Sequence, residues 1–306
     1  MVDSKTLITL KSRRVNFVLF FDGAMVSIVL YPLFFISMPN ISEQKIVVIC
    51  DFSERMKEVI LHGVRMAGIL NKELCLTAIW KSKEQKPRIQ EKLINATHAI
   101  KQNVPELRVS SLLIKNSLLD NLGKLTWDYD AVLIVLHQSN IKSGLKAFRE
   151  SSIAFLFVKG DAPEYLNYKN VLVPLDCRKA SKETALWASF FGRFNHSQVH
   201  VMYAHETDKE QAGILMKNLN FIKKFLSNLN VAHQEIAGKS SSWGICKETM
   251  ANAQALKGDV MVFAGSAYIS MIDLLIGLPE KRIIQKAGDL PILIINPRKE
   301  ICMMCD

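Results

Sequence analysis

Ile46-Val47-Val48-Ile49-Cys50-Asp51 and Val171-Leu172-Val173-Pro174-Leu175-Asp176 decide the fold, because each is an apolar run ending in aspartate and the two open equivalent halves. Each leads into an amphipathic helical pattern and then a second apolar run. The offset between them is 125 residues (176 − 51), and it holds without a gap to Leu74–Trp80, which faces Val199–His205. Repetition at domain length means two copies of one fold.

Working outward, the first copy reads as strand Ile46–Cys50, helix Glu54–Leu70, strand Glu73–Trp80 and helix Arg88–Lys101. Strand Arg108–Ile114, helix Ser117–Trp127, strand Ala131–Leu136 and a last strand Ala154–Lys159 complete it. In the first helix Val59, Ile60, Gly63, Val64, Ala67 and Leu70 recur at three-and-four spacing, so one stripe faces a sheet. The second copy repeats the order with strand 171–175, helix Lys182–Arg193, strand 198–204 and helix Ala212–Leu229. Strand Val231–Ile236, helix Trp243–Lys257, strand Val260–Ala264 and strand Ile292–Ile295 follow. Short β-branched runs alternating with helices predict βαβ units and parallel sheets covered on both faces. The expected divisions are an apolar segment 1–40, copy one at 45–160, a linker at 161–169, copy two at 170–297 and a tail at 298–306. Glycine and proline interrupt both periodicities in the linker, at Gly160-Asp161-Ala162-Pro163.

The chain has 306 residues, 49% of them hydrophobic and 22% charged, enough for two cores and too apolar for a disordered class. Its net charge of +10 invites a nucleic-acid reading. The cations are dispersed among acids, as in Lys81–Lys86, without interleaved aromatics, so the charge reads as a solvated basic surface and no nucleic-acid partner is expected. Six cysteines lack a framework spacing and read as reduced thiols of a cytoplasmic protein. Cys302-Met303-Met304-Cys305 lies at the extreme terminus without a second ligand pair.

The run Val15–Met38 follows Lys5, Lys11, Arg13 and Arg14, and is long enough to span a bilayer. Asp22 and Gly23 interrupt it, and Pro32 lies toward its far end. Three readings fit: sequence upstream of a start at Met38, a membrane anchor on the cytoplasmic face of a membrane, or a buried or partner-bound helix.

Over residues 45 to 297 these features resemble the universal stress protein family in its tandem form. The carrying residues are Asp51 and Asp176 at the strand ends, the turn Val262-Phe263-Ala264-Gly265-Ser266, and Ala287–Ile295 as a final helix running into a final strand. The resemblance implies an α/β adenine-nucleotide-binding-type (Rossmann-like) fold with two tandem five-stranded parallel sheets. It also implies that the copies pack as an intramolecular pseudo-dimer through Ala154–Lys159 and Ile292–Ile295, with room for a further homodimer.

The resemblance further implies ATP or AMP as the ligand, held by a Gly-x-x-Gly, nine-residue, Gly-Ser or Gly-Thr loop after the fourth strand and by the aspartate after the first. Glycines let backbone N–H groups approach phosphate, and the hydroxyl adds a donor. Copy two keeps Asp176, Gly265 and Ser266, but has Tyr268 at the second glycine. Gly277 comes one residue early, followed by Leu278-Pro279 in place of a hydroxyl. Copy one has lost more. Aligning Asp130 with Asp259 gives an offset of 129, and Ile153 with Leu290 gives 137, so the loop is eight residues shorter (137 − 129). Leu136 and His137 replace Gly265 and Ser266, which leaves Asp51 alone and the basic Lys142, Lys146 and Arg149 on a solvated helix.

Both aspartates also have a plain structural use, as caps or turns leading into helices. His196, His200 and His205 do not read as a metal site, because His200 and His205 have opposite parity along one strand. No nucleophile–base pair has motif context. The expectation is therefore a cytoplasmic, non-catalytic binding or adaptor module. An ATP- or AMP-binding sensor through copy two, or a membrane-tethered regulator of a transporter, are the alternatives.

Overall fold

A computed structural model describes residues 15–21, 24–30, 44–159, 166–266 and 279–296. Copy one supplies strands β3 (Lys45–Cys50), β4 (Glu73–Trp80), β5 (Val109–Lys115), β6 (Ala131–His137) and β7 (Ala154–Val158). Copy two supplies β8 (Asn170–Leu175), β9 (Gln198–Tyr203), β10 (His233–Ala237), β11 (Val260–Ala264) and β12 (Ile292–Ile295). The helices of copy one are α1 (Met56–Leu70), α2 (Gln85–Asn103), α3 (Leu122–Trp127) and α4 (Ile141–Glu150). Those of copy two are α5 (Thr184–Asn195), α6 (Lys209–Asn228), α7 (Ile245–Ala251) and α8 (Pro279–Lys286).

The ten strands form one sheet in the order β10-β9-β8-β11-β12-β7-β6-β3-β4-β5. Within each copy every pairing is parallel. The copies meet where β12 runs antiparallel to β7, with Leu156 opposite Leu293, Phe155 opposite Ile294 and Phe157 opposite Ile292. The 137-residue offset that aligns the last strands (290 − 153) makes Leu293 the counterpart of Leu156. Each strand thus pairs with its own equivalent about a local two-fold axis between the two leucines, as an isologous interface requires.

Strand residues alternate between two apolar layers, each continuous across both copies. Val48, Val173 and Leu293 face one layer with α1, α2, α5 and α6, while Val47, Leu172 and Phe157 face the other with α3, α4 and α8. The equivalent first helices, α1 and α5, pack together over one face of the seam, and the last helices, α4 and α8, over the other.

Buried polar groups bridge the copies on one face and partly buried ones on the other. His62 Nδ1 on α1 lies 2.5 Å from the Tyr168 hydroxyl, and Arg65 donates to Asn195 Oδ1 and to the Asn167 carbonyl. On the other face Gln138 donates to the Ile284 carbonyl, and Asn296 Nδ2 to the carbonyls of Phe148 and Ser151.

Some elements differ from the sequence reading. Helix 117–127 is α3 preceded by a 3₁₀ turn at Leu119–Asn121, and helix 243–257 shortens to α7. Helix 182–193 begins as 3₁₀ at Lys179–Glu183. The apolar run at 15–38 gives no helix within its described part. Val15–Phe21 and Ala24–Leu30, β1 and β2, pair antiparallel from Val15–Leu30 to Phe21–Ala24 in a separate two-stranded sheet. Valine- and phenylalanine-rich strands flanking Asp22-Gly23 are the sequence signal of a hairpin, and this decided over hydropathy. Among the described residues no helix is long and apolar enough to cross a membrane. Most of the linker, and the tail with its two cysteines, lie outside the described residues.

Two predictions follow from the seam. Leu293→Ala, at a fully buried site on the axis, is expected to lower unfolding free energy by about 2–5 kcal/mol in urea titration. Burial pulls the His62 imidazole from its ordinary 6.5 down to about 3. The unfolded chain therefore binds the extra proton first, and stability is lost as pH falls below 6.5 toward 3. Between pH 7.5 and 5.5 the loss from this group is about 1.4 kcal/mol, and His62→Asn is expected to remove that part of the pH dependence.

Candidate functional site

The strand order makes β8 and β11 neighbours, although two strands separate them in the chain, so their C-terminal ends flank the crevice where open α/β sheets take ligands. Asp176 follows β8 and is buried there. Its Oδ1 accepts the Arg178 backbone N–H at 2.8 Å, so it closes an Asx turn and does not cap α5. Its Oδ2 accepts Arg178 Nε at 2.8 Å and lies 2.7 Å from Nη2. The same guanidinium crosses the crevice, donating from Nη2 to the Ala264 carbonyl at 2.9 Å and from Nη1 to the Gly265 carbonyl at 3.3 Å. Burial works against the charge on Arg178, but hydrogen bonding to Asp176 and the charges of Asp176 and Glu280 outweigh it, and its pKa is raised.

Three side chains fix this turn from outside. Asn218 on α6 donates to the carbonyls of Asp176 at 3.2 Å and Arg178 at 2.8 Å. Ser242 Oγ accepts the Cys177 N–H at 2.9 Å, and Ser181 Oγ accepts that of Asp176 at 3.2 Å. Cys246 packs close by, its thiol pushed up to about 12 by burial and then by the Asp176 charge, so it is no nucleophile.

Gly265 and Ser266 stand where the sequence put them, beside Asp176, but both serve other partners. The Gly265 N–H donates to the Ile295 carbonyl at 2.9 Å. A Cβ on Gly265 would sit 2.6 Å from Phe148 Cε1 of copy one, so close packing across the seam by itself requires glycine there. The Ser266 N–H donates to Glu280 Oε1 at 2.6 Å. Glu280 lies in the first turn of α8, is only 3% exposed, and turns Oε2 toward Arg149 Nη2 of copy one at 3.7 Å. Gly277 and Tyr268 lie outside the described residues.

Copy one is a different site. Asp51 is exposed, and its Oδ1 accepts the Ser53 N–H at 3.0 Å and the Ser53 hydroxyl at 2.7 Å, again a turn. Its Oδ2 faces Asn140 Nδ2 at 3.5 Å. His137 fills the position of Ser266; its Nδ1 accepts the Ser139 N–H at 3.1 Å and lies 2.8 Å from Ser139 Oγ. Burial and then the Arg55 charge lower its pKa, so it stays neutral. Among the described residues no group of three or more His, Cys, Asp and Glu side chains is placed to hold a metal ion.

Sequence reasoning therefore located Asp176, Gly265 and Ser266 and missed the two residues that satisfy them, Arg178 and Glu280. The Asp-x-Arg spacing at 176–178 was a legible signal for an Asx turn with a returning guanidinium. Glu280 had none, because its partner precedes it by 14 residues (280 − 266). Arg178→Ala leaves the Asp176 carboxylate buried without its cation and is expected to cost about 1–3 kcal/mol, read by urea denaturation. Asp176→Asn keeps one acceptor, enough for the Asx turn, but turns an NH2 donor toward the guanidinium, and is expected to cost a similar amount.

No protein-family model and no curated protein sequence matches the chain. Its similarity is to solved structures. A universal stress protein from Archaeoglobus fulgidus superposes with a TM-score of 0.63 at 12% identity, covering 82% of this chain and 96% of that one. A putative universal stress protein from Pseudomonas aeruginosa superposes at 0.54 with 14% identity, over 83% and 92% of the two chains. Likeness at this identity is likeness of fold: the chain has the architecture of the universal stress proteins, in its two-copy form.

Proposed function

We propose that this protein is a non-catalytic binding module of the universal stress type, an adaptor in which copy one is structural and supports the crevice of copy two. One observation carries the reading: the polar groups at the mouth of that crevice are already satisfied from within. Asp176 and the Gly265 carbonyl are held by Arg178, and the Ser266 N–H by Glu280. Copy one offers a neutral His137 and a turn-bound Asp51 in place of a phosphate loop.

A second reading is favoured by a different observation. Asp176, Gly265 and Ser266 converge at one strand switch point, which is the placement an ATP- or AMP-binding sensor needs. Calorimetric titration of ATP and AMP into the full chain separates the two. For the adaptor, no saturable heat is expected up to millimolar nucleotide. Micromolar binding that is lost in Asp176→Ala establishes the sensor instead. Gly265→Val is the poorer probe, because it strikes Phe148 and so the seam.

A further inference from the structure

The Glu280 carboxylate is an unexpected occupant for its position. It is buried against a backbone N–H at the mouth of a crevice built, by its fold, to receive a ligand. Burying a charge is costly unless it is fully paired. Here the compensation is partial: Ser266 supplies one short hydrogen bond, and Arg149 an ion pair at 3.7 Å. Oε2 is buried and accepts no hydrogen bond. An oxyanion meeting an oriented N–H between two guanidinium groups is the arrangement by which proteins bind phosphate. In this chain the Arg149 guanidinium faces Glu280 at 3.7 Å, and the charge of Glu280 also acts at longer range on Arg178, which is bound to Asp176.

We infer that Glu280 is an internal ligand of copy two: its carboxylate takes the place of a phosphate on the Ser266 N–H and, held by Arg149 of copy one, keeps the crevice closed. This inference rests on the sensor reading for the nature of the external competitor, a compound carrying a phosphate chain. The closure itself rests only on the contacts above. Displacing Glu280 leaves a donor and two cations with one anion fewer, so a polyphosphate would replace a singly charged, partly satisfied carboxylate with a multiply charged one. Glu280 sits on α8, whose Ile284 carbonyl is bound by Gln138 of copy one. Any movement of α8 that accompanies opening would therefore be felt in its packing on copy one.

The test is titration of tripolyphosphate and of ATP into the full natural chain, Glu280→Gln and Glu280→Ala, with circular dichroism to establish folding. Glu280→Gln preserves shape and removes the charge, so it serves if the alanine variant unfolds. Tripolyphosphate is expected to bind the variants at least tenfold more tightly than the natural chain, and adding Arg149→Ala to either is expected to lose most of that gain. Equal affinity in the natural chain and the folded variants, including no binding by any of them, overturns the closure. ATP binding that is sensitive to Asp176→Ala but indifferent to Glu280 leaves the sensor standing and overturns the closure. A tripolyphosphate gain with ATP bound no more tightly than tripolyphosphate supports the closure and removes the adenosine part of the sensor reading.

Discussion

The antiparallel pairing of β7 with β12 is the constraint on which the rest of this structure depends. Each five-stranded sheet, taken alone, would end in an edge strand whose residues are wholly apolar, Ala154–Val158 in one and Ile292–Ile295 in the other. Such an edge exposes unpaired backbone groups and invites association. Pairing the two edges satisfies both at once and lets the apolar layers run unbroken through ten strands. The central Leu156–Leu293 pair fixes the register, and a one-residue slip would turn buried side chains to the wrong layer.

Once the seam is set, it determines the fate of both crevices. Because β7 and β12 run in opposite directions, the C-terminal strand ends of the two copies lie at opposite edges of the sheet, and the crevices open away from each other. The last helices then cross the seam, and α4 delivers Phe148 and Arg149 to the mouth of the second crevice. Phe148 packs where Gly265 has no side chain, and Arg149 partners Glu280. Copy one therefore contributes to the site in copy two through its degenerate half, in which the loop between β6 and β7 is short enough to be little more than α4 itself.

The two buried carboxylates at this site are held unequally. Asp176 receives a backbone N–H and a guanidinium, all at 2.7–2.8 Å, and that guanidinium is itself anchored to two carbonyls. Glu280 has one short hydrogen bond and one distant cation. Asp176 is thus a structural fixture of the turn, and Glu280 the replaceable element.

Much of this was legible from local pattern. The duplication, the strand endings at Asp51 and Asp176 and the parallel sheets follow from apolar periodicity and the 125-residue offset of the first two strands, while the use of the last strands as the joint is what the family resemblance implied. The pairing of Val15–Phe21 with Ala24–Leu30 was legible too, in two β-prone runs interrupted by Asp22-Gly23, but hydropathy summed over a long window merges them. The occupants of the second crevice are another matter. Phe148 and Arg149 are brought to Gly265 and Glu280 by the seam, across 117 (265 − 148) and 131 (280 − 149) residues of chain. A hydrogen bond depends on angstrom-scale placement, and that placement exists only when two sheets have closed on each other. The sequence by itself determined what each copy would be; only the tertiary structure decided that one copy would close the site of the other, because partners so distant in the chain meet solely through packing.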